Sequence, residues 1–329
     1  MTKTQSVKLG STGPDVFPIG LGCMGMSKMY GDADESESIA TIHEALERGV
    51  NLLDTGDFYG QGHNEMLVGR AIKGRRDRAI LSVKFGGMRD PAGNFIAFDT
   101  RPVAVKNSLA YTLTRLGVDH IDIYRPARLD PAVPIEDTIG AIADMVKAGY
   151  VRHIALSEVG VDTIRRAAAV HPIVDLQIEY SLISRGPEEK IFPLLRELGI
   201  ATTAYGVLSR GLLTASKLQG PNDFRAHLPR FTGEAGDRNR KLADTLAQLA
   251  AARGVSAAQL AIAWVRAKDP ANVPVMGART RTQLAESLGA LAVSLDAKEI
   301  AALEDALPAT AVAGTRYGDA QMKMLDSER

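Results

Sequence analysis

Short, nearly continuous apolar runs alternate along the chain with longer segments in which apolar and polar residues mix. Eight of these runs are bounded by Gly, Asp or Pro, and they cover residues 17–22, 50–54, 79–84, 121–124, 151–157, 173–178, 200–205 and 272–276. Continuous apolar runs of this length are typical of strands that are buried on both faces. The pattern therefore predicts eight buried strands.

The segments between the runs have the start and stop signals of helices. Residues 35–48 follow Asp34 and end before Gly49, and residues 102–116 and 135–148 end before Gly117 and Gly149. Similar patterns cover residues 162–170, 188–198 and 282–288. An N-terminal Asp and a C-terminal Gly are common helix boundaries. Strands separated by helices predict parallel neighbours, and eight such units close a barrel.

The main alternative is an open nucleotide-binding sheet, which would need a G-x-G-x-x-G turn after an early strand. The early glycines here are Gly20, Gly22 and Gly25, and their spacing does not fit that motif. We therefore predict one α/β domain over residues 1–329, a (β/α)8 or TIM barrel with an N-terminal β-hairpin and a C-terminal helix and tail.

Three segments depart from the alternation of strands and helices. Residues 7–19 contain Ser11-Thr12-Gly13 and predict a hairpin ahead of the barrel, which closes its bottom. Residues 209–237 are too long for an ordinary connection, and such loops often form lids or binding loops. Residues 312–329 follow the last helix, and Arg316-Tyr317-Gly318 indicates that this tail folds back onto the barrel.

The charge balance and the cysteine count indicate which binding partners and which cellular compartment to expect. Lys+Arg and Asp+Glu both number 39 among the 329 residues, which argues against nucleic acid or an anionic membrane as the main partner. Cys23 is the single cysteine and precludes an intrachain disulfide, so we expect a cytoplasmic protein. No signal peptide or membrane-spanning run is visible. A small-molecule substrate is the expected partner, and the oligomeric state is open.

Polar residues at the strand ends are the candidates for chemistry, because active-site groups of such barrels lie at the C-terminal ends of the strands. These residues are Asp54, Tyr59, Lys84, Ser157, Glu158, Gln177 and Tyr205. Asp54 and Lys84 end adjacent strands and are placed to pair. Tyr59 follows Asp54 by five residues and reaches the same region.

Asp54, Tyr59 and Lys84 suit proton delivery to a carbonyl oxygen. A tyrosine is a weak acid, with an unperturbed pKa of about 10. A neighbouring cation stabilises the phenolate, and a carboxylate holds that cation in place. The alternative is that Asp54 and Lys84 only stabilise the barrel while Tyr59 packs at its rim.

Motifs in this order resemble those of the aldo-keto reductases. Asp54-Thr55-Gly56-Asp57-Phe58-Tyr59-Gly60 with Asn64-Glu65 resembles the family's D-T-x-x-x-Y-G…N-E signature, and Ser82-Val83-Lys84-Phe85-Gly86 its lysine strand. Residues 177–182 and 204–211 resemble two cofactor segments, and Gly277-Ala278-Arg279 with Gln283 and Glu286 resembles the adenosine-phosphate segment. These motifs span nearly the whole chain.

The resemblance implies an NADPH-dependent oxidoreductase that transfers hydride directly, without a metal. It assigns Tyr59 as general acid, Lys84 as the residue that tunes it, and Asp54 as the partner of Lys84. The implied cofactor-binding residues are Ser157, Glu158, Gln177, Tyr205, Leu208, Ser209, Gly211, Gly277, Arg279, Gln283 and Glu286. Arg279 matches the position near the 2′-phosphate that separates NADPH from NADH. Alternatively, Arg279 and Arg281 are solvated residues of a loop.

Two positions depart from the family pattern. Ala127 stands where the family usually has a histidine that donates a hydrogen bond to the carbonyl, and losing such a donor costs about 2.7–4 kcal/mol. Glu158 stands where many relatives have asparagine.

The leading hypothesis is a reversible reductase of aldehydes or ketones. A nicotinamide-binding redox sensor with weak catalysis is the alternative, and a barrel hydrolase or isomerase lacks a clear second acid at a strand end. The sequence does not identify the substrate, because the loops that would select it, at residues 26–30, 86–99 and 209–237, have no conformation fixed by sequence.

Overall fold

The computed structural model describes residues 6–27, 29–218, 220 and 223–329. The strands in chain order are β1 (Val7–Lys8), β2 (Asp15–Val16), β3 (Gly20–Gly22), β4 (Leu52–Gly56), β5 (Ile80–Phe85), β6 (Gly87–Arg89), β7 (Phe95–Phe98), β8 (Ile121–Pro126), β9 (Val151–Ser157), β10 (Ile173–Glu179), β11 (Ala201–Tyr205) and β12 (Asn272–Gly277).

Eight of these strands close a parallel barrel. Its order is β3-β4-β5-β8-β9-β10-β11-β12, and β12 pairs with β3 to complete the ring. The two remaining pairs, β1 with β2 and β6 with β7, are antiparallel hairpins outside the barrel. The predicted (β/α)8 barrel is confirmed.

Helices follow most of the barrel strands. They are α1 (Glu35–Glu47), α2 (His63–Ile72), α3 (Pro102–Leu116), α4 (Ile135–Lys147), α5 (Val161–Val170), α6 (Ile191–Leu198), α7 (Gly233–Ala252), α8 (Ala257–Lys268), α9 (Arg281–Gly289), α10 (Ala297–Ala306) and α11 (Asp319–Met322). None of the described helices is by itself long and apolar enough to cross a membrane, and α7 and α8 pass that test only together, across a bend of 89°.

The hairpin β1–β2 closes the bottom of the barrel, as predicted. Leu9 and Val16 are fully buried and pack with barrel residues that include Leu52 and Val174. Gly10 has a positive φ of 65°, and a Cβ at this position would lie 2.3 Å from the Val174 carbonyl oxygen. A glycine is therefore required for the hairpin to approach the strand so closely.

Two predicted boundaries are wrong for identifiable reasons. The strand predicted from residue 17 begins at Gly20, because Pro18 has no N–H and the Phe17 N–H donates to Asn51 Oδ1 at 2.8 Å. The helix predicted from residue 188 begins at Ile191, after a separate 3-10 turn. This later start places Pro193 in the first turn, where the helix does not need its missing N–H.

The tail returns to the barrel mouth. Arg316 Nη1 and Nη2 each donate to the Glu158 carboxylate at 3.0 Å, and the Asp326 carboxylate accepts a hydrogen bond from Gly160 N–H at 2.8 Å. Glu158, the acceptor, and Gly160, the donor, both lie in the segment that follows β9. The prediction that residues 312–329 fold back is confirmed.

A buried ion pair crosses the barrel interior. Arg125 on β8 and Asp175 on β10 are both fully buried, with 2.6 Å between Arg125 Nη1 and Asp175 Oδ2. Ser82 and Thr203 accept further hydrogen bonds from the guanidinium, at 2.8 and 3.3 Å. Four strands are thereby connected through one charged cluster.

Replacing Asp175 with Asn should destabilise the barrel by about 3–5 kcal/mol, because the change leaves the Arg125 charge buried without its counter-ion. Urea denaturation of wild type and Asp175→Asn measures this difference. Glu197→Gln is the matched control, since Glu197 pairs with Arg165 at the surface and should change stability little. Equal unfolding midpoints for all three proteins would contradict the expected role of the buried pair.

Candidate active site

Asp54 and Lys84 form a buried ion pair at the barrel mouth. Parallel register sets Asp54 beside Ser82 and Gly56 beside Lys84, so both side chains reach the same end of the barrel. Lys84 Nζ lies 2.5 Å from Asp54 Oδ1, and Ser82 Oγ donates to Asp54 Oδ2 at 3.0 Å. Burial lowers the pKa of Lys84, and the Asp54 charge opposes that shift. The predicted pairing is confirmed.

Tyr59 lies beside this pair. It begins a 3-10 turn that Gly60 and Gln61 continue with φ values of 55° and 52°, and its side chain is 7% exposed. Lys84 Nζ is 5.2 Å from the centre of the Tyr59 ring. Burial raises the pKa of Tyr59 well above its usual value, and the Asp54 charge raises it further.

Ser157 and Gln177 are neighbours in register at the ends of β9 and β10. Gln177 Nε2 donates to Asp54 Oδ2 at 2.8 Å. Ser157 Oγ accepts a long hydrogen bond of 3.4 Å from Arg128 Nη1. The two polar groups therefore face the Asp54–Lys84 pair and are held by single contacts.

Glu158 is the centre of a buried polar cluster. Its carboxylate accepts hydrogen bonds from Arg316, from Ser327 Oγ at 2.6 Å, from Tyr205 Oη at 2.7 Å and from Glu179 N–H at 2.9 Å. Burial acts to raise the pKa of Glu158, but the charges of Arg316 and Arg128 and the hydrogen bonds from Arg316 and Ser327 together outweigh it, and the pKa lies well below its usual range. A carboxylate is thus kept ionised where many relatives have an amide.

The tail contributes an aromatic side chain to the mouth. Tyr317 Oη is 3.1 Å from Tyr205 Oη, and the Arg210 guanidinium lies 4.5 Å from the centre of the Tyr317 ring. The hydroxyl of Tyr205, the residue expected under a nicotinamide ring, is therefore in contact with the protein's own tail.

The segment after β11 has an unusual backbone. Ser209, Arg210 and Gly211 have φ values of 46°, 57° and 88°, and Leu208 immediately precedes them. The Ser209 and Gly211 N–H groups donate to the carbonyl oxygens of Gly206 and Leu208, at 2.6 and 2.9 Å. Ser209 Oγ is buried and has no partner among the residues that the structure describes. The Ser209 hydroxyl is therefore available to donate to a phosphate group.

The segment after β12 leads into α9. Gly277 ends the strand, and Arg279 N–H donates to Gln283 Oε1 at 2.8 Å. Arg279 Nη1 donates to the carbonyl oxygens of Tyr30 and Asp32, each at 3.2 Å. Arg279 has no carboxylate partner among the described residues, so its charge remains available to an anion.

Arg281 already has a carboxylate partner, and Glu286 lies at the surface. The Arg281 guanidinium donates through Nε and Nη2 to both carboxylate oxygens of Glu37, at 3.2 and 2.9 Å. Glu286 is exposed on α9, and its backbone oxygen accepts from Gln259 Nε2 at 3.3 Å.

Ala127 occupies the position of the expected histidine. Ala127 directly follows β8, is 1% exposed, and its N–H donates to the Phe85 carbonyl oxygen at 2.9 Å. His63 lies at the start of α2, with Nδ1 2.9 Å from Ser27 Oγ and Nε2 3.2 Å from Glu35 Oε2. Within the described residues, His, Cys, Asp and Glu form no group that could hold a metal ion.

Three residues of the mouth were missed by sequence reasoning, namely Arg128, Arg316 and Tyr317. Arg128 follows a strand end and was within reach of the same rule that selected the other candidates. Arg316 and Tyr317 come from the tail, where the sequence gives no sign of which barrel residue they contact.

Comparison with known proteins identifies relatives along most of the chain. A sequence model described as the aldo/keto reductase family matches residues 18–308. A relative from Glycine max, named probable aldo-keto reductase 1, is 39% identical over 323 residues, which cover 95% of this chain and 92% of the relative.

Two solved structures show the same architecture. A glycerol dehydrogenase from Gluconobacter oxydans matches with a TM-score of 0.83 and 26% identity, over 93% of this chain and 96% of its own. An aldo-keto reductase from Bacillus halodurans, solved in its holo form, matches with a TM-score of 0.78 and 29% identity, over 93% of this chain and 97% of its own.

Asp57, close to Tyr59, should make stability depend on pH. Burial raises the pKa of Asp57 to about 7, although Gly86 N–H donates to its carboxylate. In the unfolded chain the group ionises near its usual pKa of about 4, so the folded protein loses stability as the pH rises from about 4 to about 7. The loss is about 1.4 kcal/mol for each unit of pKa difference.

Asp57→Asn should remove this dependence, so the variant gains stability relative to wild type as the pH rises through that window. Denaturant unfolding at several pH values measures the difference. Asp77→Asn, at an exposed position, is the control and should follow the wild-type curve. Parallel curves for wild type and Asp57→Asn would show that burial does not raise the pKa of Asp57.

Proposed function

The chain belongs to the aldo/keto reductase family of oxidoreductases, and we propose that it reduces an aldehyde or ketone to an alcohol, reversibly, with NADPH as the cofactor. The observation that supports this most directly is the buried Asp54–Lys84 pair with the Tyr59 ring 5.2 Å from Lys84 Nζ. This arrangement provides a proton donor and a fixed cation at one place on the barrel mouth.

Tyr59 is the proposed general acid. Its hydroxyl is the group that transfers a proton to the carbonyl oxygen, and Lys84 stabilises the phenolate that remains. Asp54 holds Lys84 and is itself held by Ser82 and Gln177. A carbonyl oxygen that enters brings no charge, so the high pKa of Tyr59 keeps the proton in place until negative charge develops on that oxygen.

The residues present fit a dinucleotide cofactor. When bound, NADPH supplies the hydride that is added to the carbonyl carbon. Ser157 and Gln177 offer hydrogen bonds to a carboxamide, and Tyr205 offers a ring face. Ser209 and Gly211 belong to the left-handed segment that Leu208 precedes, and Ser209 Oγ, which has no partner among the described residues, suits a pyrophosphate.

The adenosine end has its own proposed residues. Gly277, Arg279, Gln283 and Glu286 surround the start of α9, where helix N–H groups favour anions. Glu158 is proposed to act near the nicotinamide only through Tyr205, because its carboxylate is already occupied by the tail.

A redox-sensing subunit is the second candidate. Ala127 stands in place of the expected histidine, and Ser157 and Gln177, which a nicotinamide would use, already have hydrogen-bond partners in Arg128 and Asp54. Both observations favour weak turnover. The complete set of Asp54, Lys84 and Tyr59 favours an enzyme.

The domain organisation, the localisation and the substrate are also part of this proposal. The continuous family match supports one barrel domain over residues 1–329. Localisation in the cytoplasm stays a prediction that rests on the single, buried Cys23. The carbonyl substrate remains to be identified from a panel of aldehydes, ketones, sugars and pyridoxal.

Replacing Tyr59 with Phe should lower kcat/KM by about a hundredfold or more, because the proton donor is removed. Absorbance at 340 nm, which follows oxidation of NADPH, measures the rate with each member of the panel. Tyr124→Phe is the matched control, since the buried Tyr124 hydroxyl has no hydrogen-bond partner among the described residues. Full activity of Tyr59→Phe would rule out Tyr59 as the acid. Tight NADPH binding without any turnover would favour the sensor.

Replacing Arg279 with Met should weaken NADPH binding by roughly tenfold or more and leave NADH binding nearly unchanged, because a charged hydrogen bond to the 2′-phosphate is lost. Fluorescence titration of both cofactors measures this. Arg281→Met is the control, since Glu37 already neutralises Arg281. An equal loss for both cofactors would show that Arg279 does not distinguish them.

A further inference from the structure

Arg128 is unlike the other arginines near the mouth. Three of them pair with a carboxylate at 3.0 Å or less: Arg125 with Asp175, Arg210 with Glu179, and Arg316 with Glu158. Arg128 is half-buried and has no carboxylate within salt-bridge distance among the residues that the structure describes. Burial acts to lower the pKa of Arg128, but Tyr205, Tyr317 and the Glu158 carboxylate, which lies beyond salt-bridge distance, raise it above its usual value. The guanidinium is therefore a stable cation without a direct carboxylate contact, and we expect a bound molecule to supply one.

The hydrogen bonds of Arg128 leave most of the guanidinium free. Nη1 donates to the Ala127 carbonyl oxygen at 2.6 Å and to Ser157 Oγ at 3.4 Å. Within the described part of the chain, Nε and Nη2 have no acceptor. The 3.4 Å contact is near the limit for a hydrogen bond and is readily exchanged for a better acceptor.

The position of Arg128 places this free cation close to the proposed chemistry. The Ala127 N–H donates to the carbonyl oxygen of Phe85, the residue after Lys84, so Arg128 follows directly beyond the lysine strand. Burial is the main influence that raises the pKa of Tyr59, and the Arg128 charge acts on the same hydroxyl in the opposite direction. Arg128 and the Tyr59 hydroxyl therefore share one electrostatic environment.

We propose that Arg128 is a catalytic residue that donates a hydrogen bond to the carbonyl oxygen of the substrate, in place of the histidine that Ala127 lacks. This inference rests on the proposed function. Ala127 is buried and has no polar side-chain group to offer, whereas the adjacent Arg128 has two nitrogen atoms without an acceptor among the described residues.

The reaction balances without a proton from Arg128. Hydride from NADPH forms the new C–H bond, the carbonyl π pair moves to oxygen, and the Tyr59 proton forms the O–H bond. The phenolate then regains a proton from solvent. Arg128 keeps all its protons, and its fixed charge stabilises the oxygen while negative charge develops there.

The test compares Arg128→Ala and Arg128→Lys with wild type in the NADPH assay. We expect kcat/KM to fall by about 100- to 1,000-fold in Arg128→Ala, mostly through kcat, because one oxyanion donor is lost. NADPH affinity, measured by fluorescence, should stay within a factor of about three. Arg165→Met, on the outer surface, should keep wild-type activity. The kcat/KM of Arg128→Lys should lie between those of wild type and Arg128→Ala, because lysine keeps the positive charge but lacks the planar, forked guanidinium.

Chemical rescue separates a catalytic role from a structural one. Millimolar guanidinium chloride should restore at least tenfold activity to Arg128→Ala and none to Tyr59→Phe, with sodium chloride as the salt control. Activity of Arg128→Ala within threefold of wild type would overturn the proposal. A loss that lies wholly in NADPH affinity would also overturn it, because Arg128 would then bind the cofactor.

A binding measurement keeps this proposal separate from the proposed function. Acetate carries an anionic oxygen like the one that develops on the substrate, and calorimetry measures its binding to protein saturated with NADP⁺. We expect acetate to bind at least tenfold more weakly to Arg128→Ala than to wild type. Arg128→Lys should retain part of the wild-type affinity. If no carbonyl compound is turned over, the proposed reductase function is wrong. If acetate binds equally to wild type and Arg128→Ala, or binds to neither, the proposed role of Arg128 is wrong.

Discussion

Pairing of buried charges determines the construction of the barrel mouth. A charge removed from water is costly unless an opposite charge and hydrogen bonds replace the solvent. Asp54 meets Lys84, Asp175 meets Arg125, and Glu158 meets Arg316, each pair at 3.0 Å or less. Each pair joins elements that are distant in sequence, so satisfying the charges also fixes the positions of strands and tail. The polar groups proposed for catalysis are thus rigid because the same contacts support the fold.

The buried Glu158 carboxylate obtains its opposite charge from the C-terminal tail. With a positive φ of 52° it turns its side chain beneath the mouth, where Arg316 and Ser327 are the donors that keep it ionised. Without the tail, the carboxylate would remain buried without its counter-ion. The tail is therefore part of the barrel mouth, and it brings Tyr317 to Tyr205, where an isolated barrel would leave that ring open.

Sequence reasoning recovered what depends on local pattern or chain order. The strands were predictable because each is a continuous apolar run, and Asp54 beside Lys84 followed from two adjacent parallel strands. Helices α2, α7, α8 and α11 were not predicted, and the C-terminal helix, which is α10, was predicted without bounds. Helix α8, for example, is apolar around most of its circumference and lacks the polar face that marks a helix. The contact between Glu158 and Arg316 spans 158 residues, and only the folded chain shows it.

The contacts at the mouth also differ in how easily they exchange. Gln177 is held to Asp54 by one hydrogen bond and Arg128 to Ser157 by one of 3.4 Å, whereas Glu158 accepts from four different residues. A cofactor that needs Ser157 and Gln177 therefore competes with one contact at each residue, the long one at Ser157 being the weaker, and it supplies hydrogen bonds in return. The Glu158 cluster stays intact, so the rearrangement is limited to side chains. The Arg128 charge already acts to lower the pKa of Tyr59 against burial, so release of the Ser157 contact would leave that guanidinium free to bind the oxygen to be protonated.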